Sequence, residues 1–207
     1  MKIYDISHPL QGGLAEWPGD TSWSLRWNAR LRDGDAVNLS DITMSVHYGA
    51  HIDAPYHFLE QGATVEALNL AVYWGPARVL DVRGKELIRR EDIPADLAGT
   101  PRLLFKTGAW PDTTRFPERI PVMAEDLPAY LKERGVILVG LDVPSVDPID
   151  SKELANHRML AACGIAILES LALEGVPEGK YELIALPLKI VGADGSPVRA
   201  VLKEIAG

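Results

Sequence analysis

Cysteine is nearly absent from this chain: one residue, Cys163, in 207. A lone thiol cannot close an intrachain disulfide, which points to a reducing compartment and a cytoplasmic protein. It also removes the thiolate-rich class of structural metal site. No run of about 18 or more apolar residues occurs, so the sequence offers no membrane span. The N-terminus, Met1-Lys2-Ile3-Tyr4-Asp5, lacks the apolar stretch of a signal peptide. Positive charge is in the minority, 21 Lys plus Arg against 29 Asp plus Glu, for a net charge of −8. That balance weighs against nucleic acid as a partner, because phosphate binding needs clustered Lys and Arg. Internal repeats, low-complexity tracts and a phosphate-cradling Gly-rich loop ahead of a helix are missing too.

What is present is ordinary in bulk: 47% hydrophobic and 24% charged residues, the balance of a folded globular protein. At this length a single domain over residues 1–207 is the expectation. Ser22 to Leu31 alternates, with Trp23, Leu25, Trp27, Ala29 and Leu31 on one face, and predicts a half-buried strand. Asp33-Gly34 predicts a turn. Ile42, Met44 and Val46 alternate with Thr43, Ser45 and His47, which completes an N-terminal antiparallel hairpin. Further on, Leu103-Leu104-Phe105 predicts a short strand, Ala124 to Arg134 a helix stopped by Gly135, and Val136 to Leu141 a buried strand. Together they predict a βαβ unit. A second helix is expected from Asp150, with Glu153 completing a capping box, to about Ala162, where Gly164 ends it. Glu182–Val191 and Val198–Ile205 predict two closing strands. The fold class is mixed α/β.

Three of the five histidines fall within His47-Tyr48-Gly49-Ala50-His51-Ile52-Asp53-Ala54-Pro55-Tyr56-His57. An i, i+4 His pair suits a helix in zinc proteases, but Gly49 and Pro55 argue against a helix here. A turn followed by an extended stretch is expected, with His51, Asp53, Pro55 and His57 projecting to one side. Imidazole plus carboxylate is a natural donor set for zinc or manganese. Glu169 interrupts the apolar run Ile165–Leu171, and a buried carboxylate needs pairing, protonation or a metal; an edge position facing water would explain it equally well. His157 shares a helix face with Leu154 and Ala161, where a satisfied core histidine is the commoner outcome. Trp17, in Trp17-Pro18-Gly19-Asp20, would stack on an aromatic ligand or cap the core. His8 and Cys163 read as structural.

The spacing His47-x-x-x-His51-x-Asp53-x-Pro55-x-His57 resembles the signature of the metal-dependent cyclase family, which includes bacterial arylformamidases and isatin hydrolases. The resemblance spans essentially the whole chain. It takes in Trp17-Pro18-Gly19-Asp20, Gly49–Pro55 and Tyr181–Leu188, and is nearest to the arylformamidase branch. Ala50 departs from the Thr frequent in the family before the second histidine. The resemblance implies a swivelling β/β/α cyclase-like fold and a homodimer or larger homo-oligomer. It implies two divalent metal ions per chain, zinc foremost and manganese second. His47, His51 and Asp53 would hold one ion, with Asp53 bridging to another held by His157 and Glu169. His57 would be the general acid/base and Trp17 a substrate contact. The implied reaction is hydrolysis of N-formyl-L-kynurenine to L-kynurenine and formate. A related cyclic-amide hydrolase, or a catalytically silent binder of aromatic acids, are the alternatives.

Overall fold

A computed structural model describes residues 1–205. Thirteen strands, two α-helices and five short 3-10 turns are found among them. The N-terminal part contains β1 (Ile3–Asp5), β2 (Ser24–Ala29), β3 (Leu39–Thr43), β4 (His51–Asp53) and β5 (Trp74–Asp81). Then follow β6 (Leu87–Ile88), β7 (Arg102–Lys106), β8 (Val122–Met123), α1 (Leu127–Glu133) and β9 (Leu138–Leu141). The rest is α2 (Ala155–Ala162), β10 (Ala166–Glu169), β11 (Gly179–Ile184), β12 (Gly195–Pro197) and β13 (Val201–Glu204).

Nine strands form one mixed sheet in the order β1-β13-β11-β5-β7-β9-β10-β4-β12. The central β5, β7, β9 and β10 run parallel, and antiparallel strands extend both sides. The expected βαβ unit is β7-α1-β9. Its strands carry nearly continuous apolar runs because both faces of the sheet are covered. Leu103 and Phe105 pack with Leu127, Leu131 and Leu160 of the two helices. Leu104, between them in sequence, points the other way and packs with Ile6, Ile52, Leu183 and Leu202. Gly140 in β9 has no room for more: a Cβ there would meet Leu104 Cδ2 at 2.5 Å.

Three expectations need correction. The hairpin β2/β3 forms, but its second strand is Leu39–Thr43 and ends before Met44, Val46 and His47, and the hairpin is exposed rather than half-buried, with Leu25 at 47% and Ile42 at 55% of full exposure. Alternation reports that a strand has two unlike faces, not what covers either of them. The second helix does not begin at Asp150. It starts at Ala155, after Leu154 in left-handed geometry (φ 50°), and Asp150 and Glu153 form no capping box. The first-turn amides of Asn156 and His157 instead donate to the Asp147 carboxylate at 2.9 and 3.1 Å. Lastly, the strand expected over Glu182–Val191 runs from Gly179 and stops at Ile184, with no strand over 185–191.

Candidate metal centre

β4 brings the histidine-rich segment into the sheet. Its three residues are buried, and its register fixes what lies beside each of them. On one side it pairs with β10, so that His51 stands opposite Glu169 and Asp53 opposite Ile167. On the other it pairs with β12, where Gly195 stands opposite Asp53. Alternation along β4 sends Ile52 into the core and aims His51 and Asp53 together at the opposite face. The turn before the strand depends on Gly49 (φ 69°), and His47 precedes that turn. No helix carries His47 and His51, as expected. The single extended stretch through to His57 is a further correction, since β4 ends at Asp53 and Pro55–His57 forms a 3-10 turn. Pro55 suits the first turn, having no N–H to leave unpaired. That turn swings His57 back over the site, with its ring centroid 4.2 Å from that of His47.

Trp17, His47, His51, His57, His157 and Glu169 line one cleft of about 470 Å³, and Asp53 lies buried against it, 3.1 Å from His47 and 3.5 Å from His51. His157 enters from α2 and Glu169 from the end of β10, both buried. His157 Nε2 stands 3.3 Å from Asp53 Oδ2 and 3.6 Å from Glu169 Oε1. His51 Nε2 stands 3.5 Å from Asp53 Oδ1 and 3.4 Å from Glu169 Oε2. Trp17 lines the rim, 39% exposed and edge-on to Phe116, so it is no core cap. His8 lies elsewhere, edge-on to Trp110, and Cys163 is half-buried at the end of α2.

Two carboxylates that the sequence reading passed over complete the arrangement. Asp147 accepts a 2.6 Å hydrogen bond from His157 Nδ1. Asp194 lies within the Gly192–Gly195 turn signal, and contacts both His47 and His57 at 3.0 Å. Neither is near its partners along the chain, so no spacing advertises it. Ser170 (φ 56°) and Leu154 (φ 50°) both occupy left-handed backbone next to these elements. Such strain in non-glycine residues concentrates at functional sites.

The charge pattern follows from the packing. Burial opposes the charged form of His51, but the hydrogen bonds and charges of Asp53 and Glu169 outweigh it and lift its pKa to about 10. Burial likewise opposes charge on His157, yet Asp147 and Asp53 raise it to about 10. His47 rises to about 9, because Asp194 and Asp53 overcome its burial. Asp53 is held well below the usual carboxylate range: its own burial pushes upward, but contacts from His157, His47 and His51 prevail.

These residues fit a divalent cation. Asp53 Oδ2 is buried and has no hydrogen-bond partner, a costly condition that a cation among the surrounding donors would relieve. The spacings of 3.3–3.6 Å across the cluster are long for hydrogen bonds but natural between ligands that share an ion. His51, Asp53 and Glu169 offer ligand atoms close enough together for one ion, as do His47, Asp53 and His57. The Nδ1–H of His51 donates to Gly49 O at 2.8 Å and that of His157 to Asp147, which leaves both Nε2 atoms free to ligate.

A parallel-centred mixed sheet with an imidazole–carboxylate cluster at a strand end defines a metallohydrolase-type site on a cyclase-like α/β fold. The profile of the Cyclase family matches residues 4–148, and the chain belongs to that family. The chain is 49% identical over 202 residues to the kynurenine formamidase of Geobacillus thermodenitrificans and 48% identical to that of Bacillus cereus, with 97% of each chain covered. Among solved structures, one described as a potential metal-dependent hydrolase with cyclase activity superposes with a TM-score of 0.81 at 32% identity. The match covers 97% of this chain and 96% of the other. An isatin hydrolase bound to thioisatinate superposes with a TM-score of 0.83 at 21% identity, over 97% and 91% of the two chains. At that identity the likeness speaks for the fold alone.

Proposed function

We propose that this chain is a metal-dependent arylformamidase that hydrolyses N-formyl-L-kynurenine to L-kynurenine and formate in tryptophan degradation. The observation that carries this reading is the cluster itself. A buried His/Asp/Glu set with an unsatisfied Asp53 oxygen lies under His57, in a cleft with an aromatic rim. The identity to curated kynurenine formamidases over nearly the whole chain supports the substrate.

His47, His51 and Asp53 would hold one divalent ion and Asp53, His157 and Glu169 a second, zinc by preference and manganese as the substitute. When bound, such ions supply Lewis-acid polarisation of the formyl oxygen and lower the pKa of water. The remaining chemistry belongs to the side chains. With Nδ1 engaged by Asp194, His57 has Nε2 free for the cleft. There it takes a proton from the attacking water and delivers it to the anilide nitrogen, which leaves poorly unless protonated. Trp17, steadied edge-on by Phe116, offers its face to the aryl ring and sets orientation. Buried Asp53 and Glu169 keep the site anionic enough to hold dications as the oxyanion forms.

The exposed apolar hairpin of β2 and β3 supports a homodimer, and the single cysteine a reducing, cytoplasmic setting. No described helix is long and apolar enough to cross a membrane. The function is tested by following formate release from formylkynurenine and ring opening of isatin side by side, with and without a chelator. Chelator-sensitive turnover of formylkynurenine alone is expected. Turnover of isatin alone would transfer the site to cyclic amides, and binding of formylkynurenine without formate release would make the protein a binder.

A further inference from the structure

We propose that Asp194 is a positioning residue that couples the acid/base His57 to the metal-ligating His47 through one carboxylate oxygen. Its Oδ2 accepts from His57 Nδ1 and from His47 Nε2, each at 3.0 Å. One shared acceptor fixes the tautomer and the rotation of both rings. It leaves His57 with Nε2 unengaged, and turns His47 Nδ1 toward Asp53 Oδ1, 3.1 Å away.

The backbone around Asp194 is built to hold that oxygen in place. The carbonyl of Asp194 accepts the amide of Ala54 at 2.9 Å, which ties it to the residue after Asp53. Just before it, the carbonyl of Ala193 accepts the amide of Val65 at 3.0 Å, and the amide of Gly192 donates to Glu66 Oε2 at 3.0 Å. Just after it, Gly195 packs against the imidazole of His47, where a Cβ would come within 2.6 Å of Cε1. The loop therefore touches His47 on two sides, with bare backbone against the ring and a carboxylate at its edge.

Stability does not account for this arrangement. The Asp194 side chain is 41% exposed, and ion pairs at such positions contribute little to folding. Among the described residues no Lys or Arg pairs with it; its partners are the two imidazoles. An exposed carboxylate anchored at three backbone points and aimed at two site histidines is placed for orientation.

The role of His57 as acid/base rests on the function proposed above, whereas the hold on His47 does not, so the test has two arms. The variants Asp194→Ala, Asp194→Asn and Asp194→Glu are compared with the parent for zinc affinity, by competition with a chromogenic chelator, and for kcat and KM on formylkynurenine. With Ala, zinc affinity is expected to fall roughly tenfold or more and kcat by a similar factor, while KM stays within about twofold. Glu should restore most of both losses. Asn keeps the size but accepts weakly, should behave as Ala does, and serves in its place if Ala does not fold. Zinc affinity and kcat both at parental levels in Ala or Asn would overturn the proposal. So would a Glu variant that melts like the parent yet is no better than Ala. If the parent binds zinc but releases no formate, the substrate assignment fails, and the affinity arm still decides the role of Asp194.

Discussion

Four side chains of the site, His51, Asp53, His157 and Glu169, are at most 4% exposed, whereas His47, His57 and Asp194 are 16%, 33% and 41% exposed. The two groups are made of the same chemistry, imidazole and carboxylate, yet burial suits them to different work. The buried set leaves an anionic oxygen without a partner, and electrostatics in that dry environment are strong enough to retain a cation. The outer set is solvated, bonded ring to carboxylate, and open to the cleft, as proton transfer requires. On the proposed function the inner set would hold the metal with His47 joining it from the outer set, while His57 would move protons and Asp194 orient the two outer rings.

Substitutions separate the two roles. The largest effect is expected at Asp53, the residue in contact with both inner imidazoles, His51 and His157, and with His47 of the outer set. Asp53→Ala should lose its metal and at least roughly 10³-fold in turnover, since the ions supply several kcal/mol of transition-state stabilisation. Metal analysis of the purified variant checks it, and retention of both ions would erase the distinction between inner and outer. His57→Ala should retain metal and lose about 10²–10⁴-fold in kcat. Loss of metal as well would make His57 a ligand, a role its approach to His47 and Asp53 permits sterically.

Asp147→Ala should weaken metal binding by about 10–100-fold, because His157 loses the partner that orients it. It should also cost about 0.5–2 kcal/mol in a thermal melt, since the same carboxylate caps α2. Trp17→Ala touches neither set and should raise KM by up to about tenfold with little change in kcat.

pH distinguishes the metal-free from the metal-loaded protein. In the metal-free protein the pKa values of His51 and His157 are raised to about 10 and that of His47 to about 9. Folded-state values raised above the ordinary histidine value stabilise the fold fully below about pH 6.5, and that contribution is lost as pH rises through 9 to 10. Chelated protein should therefore melt at a lower temperature at pH 10 than at pH 6. Metal loading at pH 7 must expel protons from these rings, so affinity should rise with pH. Calorimetry in buffers of different ionisation enthalpy reads the proton release directly.

Much of this was legible in the sequence, for identifiable reasons. The signature from His47 to His57 is local, and Glu169 stands out because a carboxylate breaks an apolar run. The βαβ unit showed because β9 is short and apolar and Gly135 stops the helix before it. Asp147 and Asp194 were not legible, because their partners lie 10 and 137–147 residues away and each sits in a loop that composition describes only as a turn. The start of α2 was misplaced for the same reason: its capping carboxylate comes from upstream of Pro148, beyond the usual local spacing. The hairpin was found with its second strand placed too late in the chain, and its environment was not found, since its apolar face is the same whether a core or a second chain covers it.

The most direct test titrates chelated protein with zinc while recording formate release from N-formyl-L-kynurenine. Activity should be absent at the start, rise with added metal, and level off at about two equivalents per chain. Full formate release by the chelated, metal-free protein would contradict the account.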